Sequence, residues 1–391
     1  MRRHQHAEAA GLVSFLFCSI FGAFSLTIYE HMAPVIWLVS RRLFMVFAAI
    51  VAFSGVISFV IGYASKSRSL TLEHGWLTPI RRIVEILALS IVYGSTLFLT
   101  SFMALGVIND VMGRAFFDYM PALCAVFAGV AGYITYVQAS LMNAKTIASL
   151  LPFFVIAGVS TAGMTSDDPY WYNNNFSQLG DRTTFAASMF NWTLILAGIC
   201  IIIVSYFAVS ELITAQRMRL LWDGDRQSGE GGGAAPHFKI RMGVLSGLLT
   251  LSGIAFVGIG VFRYTPHPIV HNVFARGLPG IMTMLMIGLP LLVPQLSKVI
   301  YVASDLAIVI SGAAGVIWLL GGNTLTNVEA MAGLLFLGWF IVFSRQIAAI
   351  EADRIQTQLM HTQTSAIINN PEPLPSDEAE TPLESRLAAD R

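Results

Sequence analysis

The residues of this chain able to do chemistry gather in two short polar stretches set between long apolar runs. Residues 165–182 read TSDDPYWYNNNFSQLGDR. Asp167, Asp168, Asn175 and Ser177 bring carboxylates, an amide and a hydroxyl to one place, enough to hold a polar ligand or a lipid headgroup. Asp168 before Pro169 suits a turn start or a helix cap. Tyr170, Trp171 and Tyr172 suit the headgroup level, where a ring is half wet and half apolar, so the stretch also reads as an interfacial cap. Residues 260–277 read GVFRYTPHPIVHNVFARG. His267 and His271, four apart, would share one helix face, a spacing compatible with metal ligation. No third ligand is set by spacing, and the pair equally suits the lining of a wet interface, so no metal or other cofactor is expected. If the two stretches meet, Arg263 or Arg276 is placed to pair with Asp167 or Asp168.

Polar groups inside the apolar runs form a second set. Glu85 follows Arg81 and Arg82 at the spacing of a same-face helical ion pair. Asn191 is a candidate interhelical hydrogen-bond donor. Asp305 lies within an apolar run, where a central carboxylate costs on the order of 2.5–3.5 kcal/mol on insertion scales. It is expected either to face the bundle or to sit near the cytoplasmic interface, where it snorkels or pairs with Lys298. No P-loop, H-E-x-x-H or G-x-S-x-G pattern occurs.

The elements that must position these groups follow from composition. Of 391 residues, 55% are apolar and 12% charged, the mean hydropathy is +0.68 and the formal net charge is zero. Soluble domains carry about twice that charged share. An ordinary soluble enzyme, a disordered chain and a disulfide scaffold are excluded, and no net field favours nucleic acid. Runs near 11–29, 43–64, 83–107, 120–141, 147–164, 185–209, 242–262, 274–293, 299–320 and 328–347 approach the roughly 20 residues that cross a bilayer. The expectation is an all-α polytopic transmembrane bundle of about ten spans. The first run, after Arg2 and Arg3, lacks a signal-peptidase-like site and reads as a retained helix. Cys18, Cys124 and Cys200 lie singly in apolar runs and read as small buried hydrophobes.

Lys and Arg set the expected orientation. With both termini cytoplasmic, only Arg41, Arg42, Arg114, Arg182, Arg263 and Arg276 fall outside. Arg41-Arg42 is discordant; were it cytoplasmic, the first run would not cross and nine spans would remain. Three segments are expected: a four-helix region over 1–145, a six-helix membrane domain over 146–350, and a polar disordered tail over 351–391. A break falls near residue 145, and a Gly-rich cytoplasmic linker spans 213–240. Gly243 and Gly247 have the spacing that lets two helices approach closely.

Residues 166–180 with Phe190-Asn191, and Gly260-Val261-Phe262 with His271-Asn272 and Ala275, resemble the bacterial membrane family named domain of unknown function 998. That family is distantly similar to the Frag and DRAM type of multipass proteins. The resemblance covers about residues 147–347. It implies a shared topology and an outer-face site at Trp171, Ser177, Leu179, Gly180 and His271, with no particular reaction.

These readings point to a multipass protein of the cell membrane, bacterial by the resemblance. It would bind or move a small molecule or lipid at an outer polar site, with membrane lipid as its surroundings and nucleic acid excluded. One alternative is a metal-dependent lipid hydrolase using Asp167, Asp168, Ser177, His267 and His271. The other is a proton- or cation-coupled transporter using Asp305.

Overall fold

The computed structural model describes residues 3–34, 40–66, 77–141, 144–226 and 237–369. Every regular element among them is helical. Hydrocarbon offers no partner to a backbone N–H or C=O, and only a helix or a closed barrel satisfies all of them across a membrane. In chain order the helices are α1 (Arg3–Met32), α2 (Ser40–Lys66), α3 (Leu77–Met112), α4 (Met120–Ser140), α5 (Ala144–Met164), α6 (Ser177–Gly180), α7 (Phe185–Arg226), α8 (Phe238–Val261), α9 (Pro268–Leu292), α10 (Lys298–Leu319) and α11 (Leu325–Asn369). Among the described residues, 9 helices are long and apolar enough to cross a membrane. α5, Ala144–Met164, is apolar as well, with side chains described from Leu150 to Met164. The surface agrees: on α1, Phe17 is 71% exposed and Ile20 68%. Apolar faces this bare are stable only against lipid or another apolar surface. The molecule is an all-α polytopic membrane bundle.

Two units are distinguished, Met1–Ala348 and Ala349–Arg391. Within the first, α4 packs against α1 and α2, and α3 packs against α2 and α5. Leu26, Phe47, Leu105, Met120 and Cys124 form the centre of the α1–α4 core. Further along, α7 packs on α5 and α8, and α9 on α8 and α10. α4 ends at Ser140 and α5 begins at Ala144, both within the first unit. All three cysteines are buried and free.

Several expectations are revised. The segment 213–240 is not linker throughout. α7 continues to Arg226 and α8 starts at Phe238; the Gly-rich residues 227–236 lie outside the described residues. Nor is 351–391 disordered from its start, because α11 continues to Asn369; residues 370–391 lie outside the description. Both continuations have the same cause. Residues 213–226 contain only one glycine and no proline, and 351–369 contain neither. At about 1.5 Å per residue, both helices are longer than the roughly 30 Å of hydrocarbon requires.

Helix contacts depend on glycine, but not at Gly243 and Gly247, around which a side-chain carbon would meet nothing within 4 Å. The close approaches of α8 to the backbone of α7 are at Gly253, where a Cβ would lie 2.7 Å from the carbonyl oxygen of Gly198, and at Gly260, where it would lie 2.5 Å from that of Asn191. The 243–247 spacing fits the motif, but that face of α8 has no described helix against it. At the end of α10, Gly321 takes φ +79°. Its N–H donates to Trp318 O at 2.9 Å, and that of Gly322 to Ile317 O at 2.9 Å. This paired arrangement, which a left-handed glycine permits, closes the helix and turns the chain toward α11.

Replacing Gly253 by leucine should force α7 and α8 apart and cost about 1–3 kcal/mol through overpacking. Gly243→Ala should be near neutral. Thermal unfolding of the two variants in the same detergent checks the difference.

Candidate functional site

The two polar stretches come together. Residues 165–184 connect α5 to α7 through the one-turn α6, and residues 262–267 connect α8 to α9. Ser177 opens α6, and His271 lies in the first turn of α9, which begins with Pro268. A proline is well placed at such a start, where its missing N–H has no helical partner to lose.

His271 is 3% exposed. Its Nδ1 lies 2.7 Å from the carbonyl oxygen of Phe262. Its Nε2 lies 2.9 Å from the Ser177 hydroxyl. A carbonyl only accepts, so Nδ1 carries the hydrogen and donates to it. In the neutral imidazole Nε2 is then the acceptor, and Ser177 donates its O–H to it. The Tyr264 ring stands edge-on to the imidazole, with centroids 5.9 Å apart. The arrangement orients one imidazole nitrogen toward a hydroxyl, with a carbonyl behind the ring where a catalytic triad would have a carboxylate.

Other bonds close the same junction. Asp181 accepts from the Thr265 hydroxyl at 3.0 Å and from the Thr265 backbone N–H. Arg263 donates to the carbonyl oxygen of Arg182 at 3.4 Å. Asn191, on α7, donates to the Gly180 carbonyl at 2.9 Å and so satisfies the end of α6. The backbone N–H of Phe176 donates to Glu329 at 2.7 Å, tying this loop to α11. Aromatic rings lie beneath: Trp171 is 5.6 Å from Phe176 and Phe176 6.4 Å from Phe190, centroid to centroid. Of the three neighbouring aromatics, Trp171 is turned inward against Gly163, whereas Tyr170 and Tyr172 are exposed. A single interfacial belt does not describe them.

The charged residues pair differently from expectation. Asp168 faces Arg182 of its own loop at 3.6 Å, not Arg263 or Arg276. Both side chains are partly open to solvent, and such a pair contributes about 0–1 kcal/mol. The Asp168 carboxylate also caps the turn by accepting from Tyr170 N–H at 2.9 Å. Arg276 is exposed along α9. Its helix carries it away from the loop junction, because only the first turn of α9 reaches the stretch around Ser177. His267 is exposed and sits edge-on to Phe262, so it does not converge with buried His271. Among the described residues, no group of three His, Cys, Asp or Glu could hold a metal ion. Asn175 lies beside this junction, its Oδ1 buried without a hydrogen-bond partner. Asp167 is exposed and lines a separate cavity with Arg41 and Arg42.

The intramembrane set also divides. Asp305 neither faces the bundle nor pairs with Lys298; its side chain is exposed on α10. The buried stripe of that helix is Ile300, Ser304, Ala307 and Ala314. Asp305 is one residue, about 100° of rotation, past Ser304. Ser304 is the polar group used inside, accepting from the indole N–H of Trp339 at 2.8 Å. Glu85 lies in α3, but its side chain and those of Arg81 and Arg82 are outside the description.

Glu329, Asp181 and Thr265 were not singled out in the sequence. Glu329 did leave a signal: it is the only charged residue between Leu325 and Ser344. No family model matches the chain, and neither does any curated protein or solved structure.

Glu329→Leu should strand the Phe176 N–H and lower stability by about 1–3 kcal/mol. Glu329→Gln, which keeps an acceptor, should lose less. Thermal unfolding, with protease sensitivity of the 165–182 loop, reads both effects.

Proposed function

We propose that this membrane protein binds a small molecule or a lipid headgroup at the polar rim formed by residues 165–182 and 262–271, and does so without chemical conversion. The observation that carries the reading is the buried, doubly bonded imidazole of His271 joining the two loops through Ser177. Burying polar groups beside lipid is costly unless each finds a partner. Here the chain supplies most partners itself. Trp171 and Phe176 supply the apolar floor that small-molecule sites commonly have. The resemblance to the domain of unknown function 998 family supports the same residues, Trp171, Ser177 and His271. With both termini cytoplasmic, as the Lys and Arg distribution suggests, the rim faces outward across the cell membrane.

A second reading rests on the polarity of the same hydrogen bonds. Ser177 would attack a carbonyl carbon of a lipid ester or amide, with its proton passing to His271 Nε2 and then to the leaving group. Water would then release the acyl group from Ser177. Phe262 O would hold the imidazole in the required tautomer. A carbonyl in that place orients the ring but brings no full negative charge to stabilise an imidazolium, which favours the binding reading. Among the described residues a metal-dependent version finds no ligand set, and coupled transport through Asp305 finds no interior carboxylate at that position.

Protein purified in a maltoside detergent should retain a bound small molecule or lipid that mass spectrometry of the solvent extract detects. Ser177→Ala with His271→Ala should reduce that occupancy about tenfold while leaving the protein monodisperse. Identical extracts would end the binding reading. A fluorophosphonate probe separates the two mechanisms: labelling of Ser177 that is lost in His271→Gln would establish the hydrolase instead.

A further inference from the structure

A cavity of about 410 Å³ lies beside the rim, lined by Arg41, Arg42, Met45, Thr165, Asp167, Thr184 and Phe185. This volume falls in the range of about 300–1,000 Å³ common for small-molecule sites. Arg41 and Arg42 are in the first turn of α2, and Thr184 and Phe185 stand where α7 begins. The Arg41 guanidinium sits over the Phe185 ring, 4.9 Å from its centroid. This stacking holds the group in place while leaving its N–H edge available, as a planar guanidinium allows. Among the described residues, neither arginine has an ion-pair partner. Two adjacent cations not neutralised by an ion pair, with a single carboxylate, Asp167, in the same lining, form an electrostatic site, and the pair stands against the Lys and Arg distribution noted in the sequence.

The hydroxyls lining the cavity have separate roles. Thr184 Oγ1 accepts from Ala187 N–H at 3.3 Å, so its own hydrogen is free to donate into the cavity. Thr165 donates to Thr161 O at 2.7 Å and keeps only acceptor capacity. Arg41, Arg42 and Thr184 are therefore donors, whereas Asp167 and Thr165 are acceptors. Met45 and Phe185 supply an apolar wall. Arginine forks match the oxygens of a phosphate. The carboxylate beside them disfavours a highly charged anion and suits a ligand that carries its own donor.

We infer that this cavity binds a phosphate ester bearing a neighbouring hydroxyl or ammonium group, held by Arg41, Arg42 and Thr184 at the phosphate and by Asp167 at the donor. The chemistry is shared by a phospholipid headgroup and by a soluble phosphate. The site is independent of the Ser177–His271 junction.

Isothermal titration of the full chain in maltoside micelles tests it with three probes: dihexanoyl-phosphatidylglycerol, inorganic phosphate and phosphate-free dihexanoylglycerol. The phospholipid should bind, and the phosphate-free lipid should not. Arg41→Gln with Arg42→Gln should weaken phospholipid binding at least tenfold. Arg42→Gln alone, which leaves the stacked Arg41 intact, should weaken it severalfold and serves if the double variant does not fold. Asp167→Asn should reduce affinity for the hydroxyl-bearing headgroup but not for inorganic phosphate, and Arg276→Gln, at an exposed position of α9 outside the cavity lining, should change neither. Inorganic phosphate binding as tightly as the lipid would assign the site to a soluble ligand. Undiminished binding in the arginine variants, equal binding of the phosphate-free lipid, or no binding of any probe to folded wild type would overturn the inference.

Discussion

Hydrocarbon cannot hydrogen-bond, and every feature of this molecule answers to that. A peptide group left unpaired in lipid costs several kcal/mol, so the chain crosses as helices and saves its irregular backbone for their ends. Apolar side chains gain little by leaving lipid for another apolar surface. Helix association must then come from close packing and a few buried polar ties. Both are visible. Gly253 of α8 lies against the backbone of Gly198 in α7. Ser14 of α1 meets Ser58 of α2 at 2.8 Å, and Trp339 of α11 donates to Ser304 of α10.

The same constraint explains why polarity is concentrated where helices end. The loop after α5 turns a carboxylate back on its own backbone at Asp168, a one-turn helix at Ser177–Gly180 follows, and Asn191 satisfies the end of that helix from α7. Each local bond leaves fewer groups needing water. The longer-range bonds, Ser177 to His271 and Phe176 to Glu329, then tie this loop to two distant parts of the chain. His271 is central because it has two nitrogens that can be satisfied from opposite sides, one by the end of α8 and one by α6. The result is a polar rim built on helix ends, with an arginine-lined cavity beside it.

Much of this was legible along the chain, and the failures are specific. Helix type and approximate span limits follow from uninterrupted apolar runs. Helix ends do not: α7 and α11 run past their apolar parts because polar helix formers continue the backbone pattern once it has started. Ser177 and His271 stood out by type, and their segments were expected to act together. Asp168 was matched to the wrong arginine, because a short loop can fold back on itself and bring Arg182 nearer than any residue of another loop. Of the two places expected for Asp305, the bundle interior is the one the structure denies it, because a rotation of one residue along α10 puts Ser304 inside instead. Gly243 and Gly247 fit a packing motif by spacing, but spacing carries no information about whether a partner helix is present.

Composition and periodicity on their own determined the solvent of this protein, its helical class and the segments in which polar chemistry is concentrated, because transfer from water to hydrocarbon acts on each run of residues locally. Only the tertiary structure decided which polar groups meet: Ser177 with His271, Asp181 with Thr265, Glu329 with Phe176, and Arg41 and Arg42 with Asp167 around one cavity. Those pairings join residues far apart in the chain. They depend on helix rotation and on where each helix ends, and neither quantity is encoded in the order of apolar and polar residues alone.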